Sequence, residues 1–169
     1  MKKKLLFVVL GITMLSVFGY AQTNQKSHYE LGGTFMINTS TDLLIGGGIN
    51  FAGISYYWDT VGLGSYAGLM YAPYKGAHII VLDLLFGPVF KITINERFKL
   101  PIAAGAYIDY LFAFGPGGAA RGFNIGAGAN ITAEYSLNEK IHIYGRIQGT
   151  YAFLGGGDLF ITPSIGIGF

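Results

Sequence analysis

An all-β chain, closed as an eight-stranded antiparallel up-and-down transmembrane β-barrel, is the fold this sequence predicts, and three observations predict it. The first is composition: hydrophobic residues make up 51% of the chain and charged residues 12%, about half the charged share of an ordinary soluble domain. The second is the lack, beyond Ala21, of any run approaching the ~18 apolar residues of a membrane helix; glycine interrupts nearly every candidate. The third is alternation at a period of two in eight successive segments. A chain apolar enough for lipid but patterned for strands has one way to cross. An open sheet edge would leave backbone groups unsatisfied in hydrocarbon, so the sheet must close.

Ahead of the strands, Met1 to Ala21 read as a signal peptide. Lys2, Lys3 and Lys4 form a basic n-region, an apolar stretch runs from Leu5 to Phe18, and Gly19-Tyr20-Ala21 offers a small-x-small cleavage site before Gln22. The expected division is residues 1–21 as leader and 22–169 as one barrel domain. The leader lysines are three of the 11 basic residues, leaving 8 against 9 acidic ones, so the formal +2 of the whole chain becomes −1 for the barrel. That balance supplies no basic surface for nucleic acid. The chain has no cysteine, which excludes disulfide frameworks, thiol catalysis and cysteine-ligated metals.

The strands follow in order. The first, His28–Ile37, sets Tyr29, Leu31, Phe35 and Ile37 against His28, Glu30, Thr34 and Met36. The second, Leu43–Trp58, alternates poorly and is rich in glycine (Gly46, Gly47, Gly48). In the third, Val61–Ala72, the outward residues are Val61, Leu63, Ala67, Leu69 and Tyr71. The fourth, His78–Ile92, turns Leu82, Leu84, Phe86 and Phe90 out and Asp83, Gly87 and Lys91 in. The fifth, Phe98–Phe112, turns Ile102, Ala104, Ala106, Ile108 and Tyr110 out and Lys99, Ala103, Gly105, Tyr107 and Asp109 in. The sixth, Gly122–Leu137, is the cleanest: Phe123 to Leu137 in steps of two face lipid, and Asn124, Asn130, Thr132 and Glu134 face the interior. The seventh, Ile141–Phe153, places His142, Tyr144, Arg146, Gln148 and Thr150 inside. The eighth runs from Leu159 to Phe169, with Leu159, Ile161, Pro163, Ile165, Ile167 and Phe169 out and Phe160, Thr162, Ser164, Gly166 and Gly168 in. Its length matches the ~9–11 residues that a tilted strand needs to span a bilayer.

The connections fall into two classes. Trp58–Thr60, Asn95-Glu96-Arg97 and Asn138-Glu139-Lys140 are tight, and the last two share an Asn-Glu-basic pattern suited to hairpin turns. Asn38–Asp42, Pro73–Ala77, Ala113–Arg121 and Leu154–Asp158 are richer in Gly, Ser, Thr and Pro. Tight turns on the periplasmic side and looser loops outside are the expected asymmetry. Aromatics concentrate at both depths, Tyr71, Tyr74, Phe112, Tyr151 and Phe153 at the outer ends and Tyr57, Trp58, Phe90, Phe98, Tyr135 and Phe169 at the inner ends. Girdles of this kind mark the two interfaces of a membrane.

Taken together, the leader, the eight alternating segments and the closing Ser164-Ile165-Gly166-Ile167-Gly168-Phe169 resemble the small eight-stranded outer-membrane β-barrel proteins of Gram-negative bacteria: the OmpX and OmpW types and the OmpA barrel. The resemblance implies export through the inner membrane and residence in the outer membrane among its lipids. It implies assembly through periplasmic chaperones and the outer-membrane insertion machinery, which reads Ile165, Ile167 and the aromatic Phe169 as a C-terminal signal. It also implies a monomer with a structural, envelope or surface-interaction role, or alternatively a narrow pore or conduit for small or apolar solutes. One departure is plain: the outer loops look too short for the long protruding strands of OmpX-type proteins.

An eight-stranded barrel is just wide enough for its own side chains to fill, so the interior is expected to be a polar, ion-paired network. Its members are Glu30, Tyr66, Asp83, Lys91, Asp109, Asn124, Glu134, His142 and Arg146. Turn centres predict Arg146 opposite Thr132 and diagonal to Glu134, with Glu134 as its ionic partner. They predict Asp83 directly across from Asp109, with Tyr66 beside Asp83. Facing carboxylates are unfavourable unless one holds a proton or both share a cation. The inward glycines either make room for large side chains that cross the lumen or leave a narrow wet passage. Gly46-Gly47-Gly48 and Gly155-Gly156-Gly157 are not phosphate loops, since no Lys-Ser/Thr or strand-to-helix context follows. His78 stands alone at an outer rim, no residue set has metal-ligand spacing, and the sequence therefore predicts no catalytic residues, no cofactor and no metal.

Overall fold

In the computed structural model, residues 26–38, 44–153 and 157–169 are described. The expected signal peptide, the greater part of the loop Asn38–Asp42, and residues 154–156 of the last loop lie outside them. Eight strands succeed one another: β1 (Lys26–Asn38), β2 (Leu44–Tyr56), β3 (Val61–Tyr74), β4 (Ala77–Thr93), β5 (Phe98–Gly115), β6 (Gly118–Ser136), β7 (His142–Ala152) and β8 (Leu159–Gly168). Each pairs antiparallel with the next, and β8 returns to β1, so no edge is left. At that seam Leu31 faces Ile167, and Tyr29 and Phe169 exchange two backbone hydrogen bonds of 2.8 Å. Inside the same seam the Ser164 hydroxyl donates to Thr34 Oγ1 at 3.0 Å.

Alternation holds around the wall because one face of every strand meets the lumen and the other the membrane. The outer face is apolar: Trp58 is 70% exposed and Ile165 69%, and Phe35, Ile49, Phe90, Phe123, Ile131 and Ile147 stand out beside them. Even β2, whose alternation is weak in sequence, buries every second residue, with Leu44, Asn50, Ala52, Ile54 and Tyr56 inside. Its alternation is weak in sequence because most of its inward residues are as apolar as its outward ones.

Both Asn-Glu-basic turns fold alike. Asn95 Oδ1 accepts the Arg97 and Phe98 amides at 2.9 and 2.8 Å, and Asn138 Oδ1 accepts those of Lys140 and Ile141 at 2.8 and 2.9 Å. At the opposite end the structure corrects two expected loops. Pro73–Ala77 shrinks to the pair Lys75-Gly76, both at positive φ (47° and 81°), the backbone of the tight hairpin turns whose twist suits paired strands. Ala113–Arg121 is mostly strand, since Gly115 pairs with Gly118 and only Pro116 and Gly117 lie between. The short loop therefore caps a long hairpin, with β5 and β6 running 18 and 19 residues against 11 for β7 and 10 for β8. Of the expected outer girdle, Tyr71, Phe112, Tyr151 and Phe153 face outward. Tyr74 instead packs inward, against the core.

The interior is layered rather than uniformly polar. At the loop end Met36, Leu44, Met70, Ala72, Val81, Ala152 and Phe160 form an apolar plug. Nearer the turn end, along the wall from β2 to β5, Ala52, Ile54, Tyr66, Leu85, Val89 and Tyr107 form a second cluster. Between them on β4 sits Asp83, two residues from Val81 on one side and from Leu85 on the other. The remaining wall, β6 to β8 and β1, carries most of the buried polar side chains, so a polar belt and a polar mouth are set within apolar packing.

Candidate functional site

Two polar clusters lie inside the barrel. The first is the mid-lumen belt, where Asp83 and Asp109 face each other as neighbours in register. Asn124 donates its side-chain amide to Asp109 at 2.9 Å, and Gln148 reaches Asp83 at 3.4 Å. Gly68, not Tyr66, stands directly opposite Asp83. A Cβ at Gly68 would run into the Asp83 carboxylate, so the missing side chain is what admits the acid. Tyr66 pairs with Leu85 and belongs to the apolar cluster. The turn centres between Lys75 and Gly76, later than the expected pairing requires, and that displacement accounts for the shift. Alongside, Tyr144 donates across the lumen to Asn50 at 2.6 Å, passing over Gly32, where a Cβ would press within 2.5 Å of the hydroxyl. The cavity that remains, lined by Thr34, Asn50, Tyr66, Asp83, Arg146 and Gln148, measures about 10 Å³, room for a single water at most.

The second cluster occupies the mouth at the turn end. Arg146 lies opposite Thr132 as the turn geometry predicts, and its Nε donates to Thr132 Oγ1 at 3.0 Å. Its ionic partner is not Glu134, however. The guanidinium pairs through Nη2 with Glu30 Oε2 on β1, across β8, and lies over the rings of Tyr66 at 4.5 Å and Tyr144 at 4.9 Å. Glu30 is wholly buried. Its other oxygen faces His142 Nε2 at 3.8 Å, while Glu134 Oε1 faces His28 Nε2 at 3.6 Å. The two imidazoles meet edge to face, 5.1 Å between centroids. Lys91 lies over the ring of Tyr56 at 4.1 Å, and Lys99 stands opposite Glu134 in register. His28, Tyr56, Lys91, Lys99, Glu134 and His142 line a cavity of about 580 Å³ that faces out of the barrel.

The sequence expectation gave no residue set with metal-ligand spacing. The folded chain nevertheless brings one ligand atom each of His28, Glu30, Glu134 and His142 to within 4.8 Å of one another. The signal is a row, not a spacing: Glu30, Gly168 and His142 are successive partners across β1, β8 and β7, visible only once the closing register is known. Ile165, Ile167 and Phe169, the expected insertion signal, lie on the outer wall, with Phe169 57% exposed. Asn50, Tyr144 and Thr132 complete the polar contacts; Met36 and Phe160 lie inside as the alternation of their strands predicts, and with Met70 they make this end of the lumen apolar rather than polar.

No family model and no curated protein matches the sequence. Solved structures do match in shape. The attachment invasion locus protein Ail of Yersinia pestis superposes with a TM-score of 0.66 at 13% identity, over 86% of this chain and 98% of that one. Neisserial surface protein A gives 0.72 at 8% identity, over 84% and 95%. The outer membrane protein OprG of Pseudomonas aeruginosa gives 0.58 at 13% identity, over 87% and 97%. Identities this low speak to architecture, and with the strand order and the apolar outer wall they settle it: the chain folds as an eight-stranded antiparallel transmembrane β-barrel of the kind found in bacterial outer membranes.

Proposed function

We propose that this chain is an integral outer-membrane protein whose barrel is closed to solutes, serving the envelope as a non-catalytic structural element and presenting its long hairpin at the cell surface. The observation that carries this reading is the apolar plug at the loop end, where Met36, Met70, Val81 and Phe160 are all buried. A conduit for polar solutes needs a continuous wet path, and such packing interrupts it. The likeness to outer-membrane barrels supports the location, and the leader-like Met1–Ala21 agrees with export. With the tight turns toward the periplasm, the β5–β6 hairpin projects outward. That projection favours a surface-interaction role over a purely internal one, a reading in keeping with the names of Ail and Neisserial surface protein A.

Single-channel recording in planar bilayers tests the closed lumen. The wild type is expected to give no conductance steps. Arg146→Ala should stay silent because the plug is untouched, whereas Met36→Gly, Met70→Gly and Phe160→Ala should open a path only when combined with Tyr144→Ala, which removes the bridge to Asn50 across the mid-lumen. Steady conductance of the wild type would establish the narrow pore instead. For the surface role, replacing Ala113–Arg121 by a short Gly/Ser linker should abolish any cell-surface binding that the intact protein confers.

A further inference from the structure

We propose that His28, Glu30, Glu134 and His142 form a binding site for a divalent transition-metal ion of the zinc class, at the turn-end mouth of the lumen. The ion would tie β1 to β6 and β7 across β8. Four donors are in place, two imidazole nitrogens and two carboxylate oxygens, with His28–Glu134 and His142–Glu30 separations of 3.6 and 3.8 Å. Tetrahedral coordination at 2.0–2.1 Å sets neighbouring donors roughly 3.3 Å apart; these two pairs stand within a few tenths of an ångström of that, and since all four donors lie within 4.8 Å of one another, side-chain movements of about an ångström complete the shell. Both separations are too long for hydrogen bonds. In keeping with this, His28 Nε2, His142 Nε2, Glu30 Oε1 and Glu134 Oε1 are buried atoms with no hydrogen-bond partner. Glu134 is 3% exposed, so a nearly fully buried carboxylate oxygen points into the cluster without one.

A second, independent feature is the space that lets the donors meet. Gly168 stands between Glu30 and His142 in register, and a Cβ there would collide with the His142 imidazole. Its neighbour Gly166 is likewise without a side chain, so β8 presents no obstacle as β1 and β7 reach toward each other. Glu30 is already oriented, since Arg146 holds Oε2 and leaves Oε1 toward His142, the outer-shell support that ligating carboxylates use. The 580 Å³ mouth gives an entry path past His28, Glu134 and His142. The donor set selects the ion: imidazole with carboxylate suits zinc and its neighbours, whereas calcium and magnesium take all-oxygen shells. Lys91 and Lys99 line this mouth, and Arg146 pairs with Glu30 behind it, so cations offset the two carboxylates. Binding therefore rests on the four inner bonds and not on a negative field. The site is separate from the closed-lumen reading, because the plug lies at the other end.

The test uses the folded barrel in detergent, purified without a polyhistidine tag and stripped with a chelator. Co²⁺ is titrated by visible absorption and Zn²⁺ by calorimetry, with heat-modifiable gel mobility confirming the fold of every variant. One saturable ion per barrel is expected, with the ligand-field absorption of a tetrahedral Co²⁺ complex. His28→Gln and His142→Gln should each weaken binding by more than about tenfold. Gly168→Ala keeps all four donors but crowds the His142 ring, and it too should weaken binding, while Lys99→Gln should tighten it. A wild-type barrel that takes up no Co²⁺ would overturn the site, and so would His28→Gln and His142→Gln barrels that fold and bind as the wild type does.

Discussion

Arg146 owes its place to several partners at once: the Glu30 carboxylate, the Thr132 hydroxyl and two tyrosine rings. Removing one member of a buried ion pair strands the other, which typically costs 3–5 kcal/mol, while replacing both by uncharged groups is far cheaper. Arg146→Met is therefore expected to destabilise the barrel by about 3–5 kcal/mol, and adding Glu30→Gln should recover most of that loss. Urea unfolding in lipid vesicles, with chelator present so that no cation substitutes for the guanidinium, measures both. A double variant no better than the single one would show that the rings and Thr132, not the charge pair, hold this end together. Strand parity alone identifies Glu30, Glu134 and Arg146 as interior residues. Parity cannot say which carboxylate Arg146 finds, because its reach to β1 crosses a strand emptied by Gly166 and Gly168. Nor does spacing reveal the His28–Glu30–Glu134–His142 cluster, whose members come from three strands that only closure brings together.

The strands themselves are legible wherever their two faces differ in polarity, as on β6, where Asn124, Asn130, Thr132 and Glu134 alternate with apolar residues. They blur where both faces are apolar, as on β2, and where glycine and alanine leave no contrast between faces, as at the ends of β5 and β6. The Gly- and Ala-rich tip, Gly115 to Ala120, has loop composition but strand pairing. Hairpin geometry rests on a few residues with specific demands. Gly76 sits at φ 81°, where a side chain costs about 1–2 kcal/mol, so Gly76→Ala should destabilise the barrel by roughly that amount. Asn138→Ala removes two turn hydrogen bonds and should cost about 1 kcal/mol. Gly149→Ala is the control: it lies on β7 with nothing within 4 Å of its added methyl, and its effect should be neutral or slightly favourable. Urea midpoints for the three variants decide the matter, and equal losses in all of them would mean that glycine matters here for reasons other than turn geometry.

At the scale of the whole molecule, closure makes the strand order a ring. Every strand has two neighbours, and the seam between β1 and β8 is built like the other seven, by ladder bonds with an inward side-chain link from Ser164 to Thr34. The start of β1 and the end of β8 lie close together, since Tyr29 and Phe169 exchange backbone hydrogen bonds. A ring has no privileged starting point for its native contacts. The chain should therefore tolerate being joined at that seam and opened at a tight hairpin, because breaks at exposed loop tips disturb little. The variant to build links Phe169 to Ser27 through a short Gly/Ser linker and begins at Gly76, ending at Lys75. It keeps all eight strand pairings and both interior clusters, and loses the residues ahead of Ser27 and the connection across one turn. Refolded into lipid vesicles, it is expected to give β-rich circular dichroism and a compact unboiled gel species that slows on heating, as the parent should. If it stays unfolded while the parent folds, the pairing of β1 with β8 depends on the order in which strands form. The barrel would then be a sequentially assembled sheet rather than the uniform ring its register describes.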